Sequence, residues 1–173
     1  MRRVPLLRSA VFALTSLLLA AATSQASTTA IKAGADQGIE QGMIALVNSY
    51  RAQHGLAPLA TNNALMRAAR SHSRDMVENA YFDHTSLDGE QFSTRLLRFG
   101  YRWSSAGEAI GEASGLSSPR AAADEAVTMW RQSAPHNRIL LTPGYKAVGI
   151  GAWCSGDTGG GATCTFTLDA ARS

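Results

Sequence analysis

Two histidines and one glutamate are the residues of this chain best suited to chemistry. His84 lies in Tyr81-Phe82-Asp83-His84, Glu108 in Gly107-Glu108-Ala109-Ile110, and His136 in Ala134-Pro135-His136-Asn137. The chain has only four histidines, so two in loop-like positions are notable. A pair of neutral imidazoles can hold zinc or another divalent metal and leave a position open for water. In such a site His84 and His136 would carry the metal and Glu108 would take a proton from the bound water, as in a peptidase-like hydrolase. Glu108 with Glu112 is a weaker pairing of the inverting-glycosidase type. Nucleophilic catalysis has little support: no Gly-x-Ser-x-Gly elbow occurs, and Ser133, three residues before His136, does not make a triad. Nor does any segment read His-Glu-x-x-His, so a metal site would depend wholly on the fold. Binding asks less of the same residues. A cleft with two histidines, a carboxylate and nearby Tyr81, Phe82, Trp103 and Trp130 could accept a lipid, a cell-wall glycan or a peptide. Binding without turnover is therefore the expectation, and the metal-dependent hydrolase the alternative. A third reading makes His84, Glu108 and His136 a hydrogen-bonded cluster that locks loops together.

Three segments so far apart in sequence can meet only in a fold. Met43, Leu46, Val47 and Tyr50 recur at helical spacing up to Gly55. Asn62 or Asn63 can cap a second helix whose face carries Leu65, Ala68, Ala69, His72, Met76 and Val77, with His72 read as a partly buried structural histidine. A loop from Tyr81 to Gly89 leads to a third helix with Phe92, Leu96 and Phe99 inward and Gly100 as its stop. Residues 104–113 lack a helical period and read as a strand. Ser118-Pro119 opens a fourth helix with Ala123, Val127 and Trp130 on one stripe, ended by Pro135. Residues 146–154 and 162–169 read as two strands joined by a glycine-rich loop, too short for a parallel connection. Helices followed by strands mixed with one helix predict an α+β fold rather than a doubly wound parallel sheet.

Residues 1–26 read as a secretory signal peptide. Arg2, Arg3 and Arg8 are followed by an apolar run from Val11 to Ala22 and a Ser24-Gln25-Ala26 cleavage site. The expected export is of the ordinary Sec type, to the periplasm or outside the cell, with no transmembrane anchor. Residues 27–37 read as a flexible leader, and 38–173 as one domain, expected to act as a monomer. The whole chain carries 16 basic and 13 acidic residues, but three of the basic ones belong to the signal peptide. Without it the charges balance, which removes the case for nucleic acid as a partner. About 147 residues then remain, enough to bury roughly 70% of the unfolded surface without staples. Cys154 and Cys164 are the only cysteines, and in an oxidising compartment they are most simply one disulfide, a metal pair being the remote alternative.

Taken together, these segments resemble one family. Asn48-Ser49-Tyr50-Arg51 with Gly55-Leu56-Ala57-Pro58-Leu59 resembles the opening of the CAP domain (cysteine-rich secretory proteins, antigen 5, pathogenesis-related proteins). Leu65 to Ala69 with Ser71-His72-Ser73-Arg74-Asp75-Met76 resembles its second helix. Tyr81-Phe82-Asp83-His84 is similar to its aromatic-then-histidine motif, and Gly107-Glu108-Ala109-Ile110 to its Gly-Glu-Asn-Ile/Leu. Trp130, with residues 133–140, and Ala147-Val148-Gly149-Ile150-Gly151 complete the order, in the compact spacing of bacterial members. The resemblance implies a three-layer α-β-α sandwich around a mainly antiparallel sheet. It also implies a cleft in which His84, Glu108 and His136 occupy three of the family's four polar positions. The fourth, a glutamate in many eukaryotic members, falls at Ser133. Glu112 shares a strand face with Glu108 and is the candidate to compensate. Ala109 replaces the family's asparagine. Sterol and lipid binding, cell-wall association and, in a few members, proteolysis are the activities the resemblance brings with it.

Overall fold

The computed structural model describes residues 30–156 and 159–173. The expected signal peptide and the first residues of the expected leader lie outside them. The end of that leader is tied down rather than loose. Ile31 is buried, strand β1 (Gly34–Ala35) pairs antiparallel with a later strand, and Asp36 caps helix α1 (Gln37–Gln53) by accepting from the Ile39 N–H. The helix therefore starts a turn and a half before the first apolar repeat. Gly42 lies in it within reach of the Ala123 side chain, which allows two helices to pack closely there. After the two-residue strand β2 (Ala60–Thr61), Asn62 caps helix α2 (Asn63–Glu78) by accepting from the Ala64 and Leu65 N–H groups. Helix α3 (Phe92–Arg98) ends at Phe99 and Gly100, and β3 (Ser105–Leu116) follows. Ser118 caps α4 (Pro119–Gln132) through its hydroxyl, as its Ser-Pro signature predicts.

Pro135 does not end the chain's last helical segment. It sits in the first turn of a further helix, α5 (Ala134–Leu140), where a missing N–H costs nothing. Strands β4 (Ala147–Cys154) and β5 (Ala162–Arg172) form the expected hairpin, closed by the Cys154–Cys164 disulfide across their last paired residues. Closing a ten-residue span contributes about 2–3 kcal/mol in the chain-entropy account.

The sheet runs β1-β4-β5-β3, with β2 added to β4 at the far end from β1. All pairings are antiparallel except the short β2–β4 bridge. The α+β class and mainly antiparallel sheet expected from the sequence are thus what the structure shows. One face of the sheet presents Ala109, Val148, Ile150, Phe166 and Leu168 to α1 and α4, in one large apolar core that includes Trp130. Trp130 reaches the strand edge, donating its indole N–H to the Ile110 carbonyl at 3.0 Å.

The other face is unusual in being polar yet covered. Its cross-strand rows are Glu108–Asp169–Gly149, Ile110–Thr167–Gly151 and Glu112–Thr165–Trp153. Helix α2 lies across it so closely that a Cβ on Gly149 would overlap the backbone of Leu65 and Met66, and one on Gly151 the backbone of Ala69 and Arg70. Ser73 Oγ, on the helix, lies within hydrogen-bond distance of both the Gly151 carbonyl, at 3.0 Å, and Thr167 Oγ1, at 2.8 Å. The tight seat explains why polar strand residues here are buried: the helix, not water, faces them.

Candidate functional site

The site lies at the end of the polar face, where β3 forms the outer edge of the sheet. Glu108 is 4% exposed and its two carboxylate oxygens have different partners. His84 Nδ1 lies 2.8 Å from Oε1 and, facing an acceptor, donates its hydrogen. Arg95 Nη2 donates to Oε2 at 2.6 Å. Arg95 is itself 1% exposed and also donates to the His84 carbonyl and the Ser86 hydroxyl, so it stitches the loop before α3 to the strand. One buried arginine thus holds both the glutamate and the backbone that carries the histidine.

His72 completes the buried side. Its Nε2–H donates to the Asp83 carbonyl at 2.9 Å, while its distance to Glu108 Oε1, 4.0 Å, is too long for a hydrogen bond. Burial pushes the imidazole below its ordinary value of 6.5, against the pull of Glu108, so it is neutral and the contact is not an ion pair. His72 is the structural histidine expected, but it packs against the site rather than away from it.

His84 behaves in the opposite way. Its side chain is 48% exposed, and the hydrogen bond to Glu108 raises its pKa above 6.5. The sign follows from linkage: a raised folded value means the pairing is fully present below the unfolded value and is lost as pH rises through the folded one. A ring-resonance pH titration is expected to give a His84 midpoint above 6.5, falling in Glu108→Gln; an unchanged midpoint in that variant would contradict the pairing.

His136 comes from α5, near enough to His84 to feel its charge. Two anchors position that helix. Arg51 donates to the Leu140 and Thr142 carbonyls at its C-terminal end, and Tyr50 donates to Asn137 Oδ1. These are the Tyr-Arg residues of the first motif. Burial, and then the nearby charge of His84, push His136 below 6.5, and its Nδ1 is buried without a partner. An open depression of about 440 Å³ lies beside the cluster, lined by His84, Thr85, Gln91, Phe92, Gly107 and Ile139 as well as Glu108.

Glu112 and Ser133 are not brought to this cluster. Glu112 shares the strand face but is exposed two rows along, where it accepts from the Thr165 hydroxyl and borders a separate depression. Ser133 is the junction of α4 and α5, its N–H bonded to the Met129 carbonyl and its carbonyl to the Asn137 N–H. Two residues that sequence reasoning did not single out are central instead: Arg95 and Asp169. Arg95 interrupts the apolar stripe of α3. Asp169 is the buried cross-strand partner of Glu108 and continues the Thr165–Thr167 alternation of β5.

Glu108 is not free to serve as a metal ligand beside the two histidines. Both Glu108 oxygens are engaged by His84 and Arg95, and His84 turns Nδ1 toward the glutamate. Among the described residues no group of three or more His, Cys, Asp and Glu side chains is placed to hold a metal ion. Zinc titration calorimetry on residues 27–173 is expected to show no saturable site. Micromolar binding lost in both His84→Ala and His136→Ala would overturn this.

Among the described residues no helix is long and apolar enough to cross a membrane. The model of the cysteine-rich secretory protein family, CAP, matches residues 44–166. The chain is 32% identical over 131 residues to an uncharacterized protein, YkwD, of Bacillus subtilis, covering 76% of this chain and 49% of that protein. It thus spans about half the length of that relative. An extracellular protein of Bacillus anthracis containing an SCP domain superposes with a TM-score of 0.65 at 26% identity, over 79% of this chain and 41% of the other. An outer surface protein of Borrelia burgdorferi shares the fold at a TM-score of 0.64 and 17% identity, over 82% of this chain and all of that one.

Proposed function

The chain belongs to the cysteine-rich secretory protein, or CAP, family, and from that membership and the cleft geometry we propose that it is an extracellular binding domain that takes a peptide segment at the His84–Glu108 edge. Residues 1–26 would direct export and be removed in the process. The observation that carries the reading is a buried network, Glu108 with Arg95, that opens at a single half-exposed side chain, His84, beside a depression with an apolar wall. Such a site offers one directed polar contact and a surface for an apolar side chain, the usual composition of a ligand cleft.

A peptide suits the place better than the other ligands expected of it. The depression is open and of mixed character, unlike the enclosed apolar cavity an acyl chain or sterol needs. Gly107 and Glu108, which line it, belong to β3, which among the described residues pairs with β5 alone. An extended chain in the depression would run beside an outer strand edge, a common mode of peptide capture. Glycan binding has less support, since Phe92 is only half-exposed and the Trp103 indole N–H is taken up by the Ser93 carbonyl. General-base catalysis by Glu108 is also poorly served, because both its oxygens are engaged by His84 and Arg95 and the group scarcely meets solvent.

The test is equilibrium binding of residues 27–173 to a mixed-sequence pool of short peptides, with His84→Ala and Phe92→Ser. Saturable binding weakened about tenfold or more in either variant, roughly 1.4 kcal/mol, is expected while both remain folded. Equal binding by wild type and variants would remove the cleft from the picture, and turnover of peptides by wild type but not by Glu108→Gln would replace binding with hydrolysis.

A further inference from the structure

Asp169 has no role in the open side of the cleft, yet its surroundings are closely defined. It is fully buried, and neither carboxyl oxygen meets an N–H or hydroxyl donor. Its cross-strand partner is Glu108, and side chains directly opposed in an antiparallel pair stand about 4.5–5.5 Å apart at Cβ. The third member of the row is Gly149, whose missing side chain leaves the space to the α2 backbone. Two buried carboxyl groups therefore face one another with one cation, Arg95, bonded to only one of them. His72 cannot serve as a second cation, being neutral, and His84 is bonded to Glu108.

We infer that Asp169 is a neutral carboxylic acid that donates its hydrogen to Glu108, and that it is a positioning residue for the cleft. Two carboxylates this close and this buried do not both ionise; they share one proton. Its location follows from the donors. Glu108 receives the Arg95 guanidinium and the His84 imidazole, so the charge stays there and the proton stays on Asp169. Burial, and then the Glu108 charge, hold the Asp169 carboxyl well above its ordinary range, with Arg95 opposing. One of the two bare oxygens is thereby accounted for: it becomes an O–H with Glu108 as its acceptor. Glu108 is then gripped from three sides, which fixes the carboxylate that orients His84 toward the depression. The consequence for ligand capture rests on the binding reading; the protonation itself does not.

Infrared spectroscopy and carboxyl carbon NMR of residues 27–173 at pH 7 test it without a ligand, so a failure here is separate from a failure to bind peptide. The expected result is one carboxylic-acid carbonyl band and a protonated Asp169 carboxyl resonance, with the band lost in Asp169→Asn. Asparagine keeps a donor toward Glu108, so the His84 Nδ1 resonance should match wild type in Asp169→Asn and move in Asp169→Ala. An ionised Asp169 resonance in folded wild type would overturn the inference. An unmoved His84 signal in Asp169→Ala would overturn the positioning role. If Asp169→Asn does not fold, the wild-type carboxyl resonance decides alone.

Discussion

Arg95→Met is expected to destabilise the protein by about 3–5 kcal/mol, because it removes the buried cation and leaves the buried Glu108 charge in place. Methionine fills much of the arginine's volume, so the loss reads charge and hydrogen bonding rather than a cavity. Arg95 donates to Glu108, to the His84 carbonyl and to the Ser86 hydroxyl. Loss of the first raises the energy of the glutamate; loss of the other two frees the loop that carries His84. Adding Glu108→Gln should recover a sizeable part of the deficit, since the second change removes the stranded charge. Urea denaturation of both single variants and the double variant measures this, with an unchanged slope showing that stability alone has moved. A double variant as unstable as the sum of the two would mean that Arg95 and Glu108 do not depend on each other.

The second large effect comes from a residue with no side chain. Gly149→Ala is expected to cost about 3 kcal/mol or more, at or above the upper range of ordinary overpacking. An added Cβ would overlap main-chain atoms of Leu65 and Met66, which cannot rotate out of the way. Either α2 lifts off the sheet or β4 bends, and both disturb the row that holds Asp169 and Glu108. Gly160→Ala is the control. Nothing lies within 4 Å of its added Cβ, and its effect should stay within about 0.5 kcal/mol. Thermal unfolding of the two variants beside wild type would show the difference; similar melting temperatures would mean that the helix is not seated on bare backbone.

Much of this architecture is legible in the residues. The apolar stripe of α2, the Ser118-Pro119 start of α4, the cysteine pair and the β4–β5 hairpin all carry local signals that the packing keeps. The two-residue strands β1 and β2 carry none, because such short pairings are set by where the chain passes β4 rather than by their own composition. Pro135 misleads in an instructive way: after α4 it reads as a stop, yet it is equally suited to the first turn of α5.

The candidate site divides along the same line. His84 and Glu108 stand in recognisable motifs and are bonded to each other, and His136 lies near enough to feel the charge of His84. Asp169 stands in a strand whose alternation of Thr165, Thr167 and Asp169 with Phe166 and Leu168 ordinarily means one wet face and one dry face. Here α2 covers the polar face, so an aspartate that pattern alone would place in water is buried beside Glu108. Arg95 is hidden for a related reason, since an arginine on a short helix is usually solvated and this one is drawn inward by a partner 13 residues away. Charges with buried partners are visible only once the tertiary pairing is known.

If the His84–Glu108 edge is where this domain meets its ligand, chemical-shift mapping of residues 27–173 during titration with short peptides will locate it there. Saturable shifts are expected at His84, Thr85, Gln91, Phe92, Gly107 and Ile139, the residues around the depression. Saturable shifts confined to Glu40, Ile44, Met66 and Arg70, which border a separate cavity between α1 and α2, would refute that assignment, as would no shifts at all.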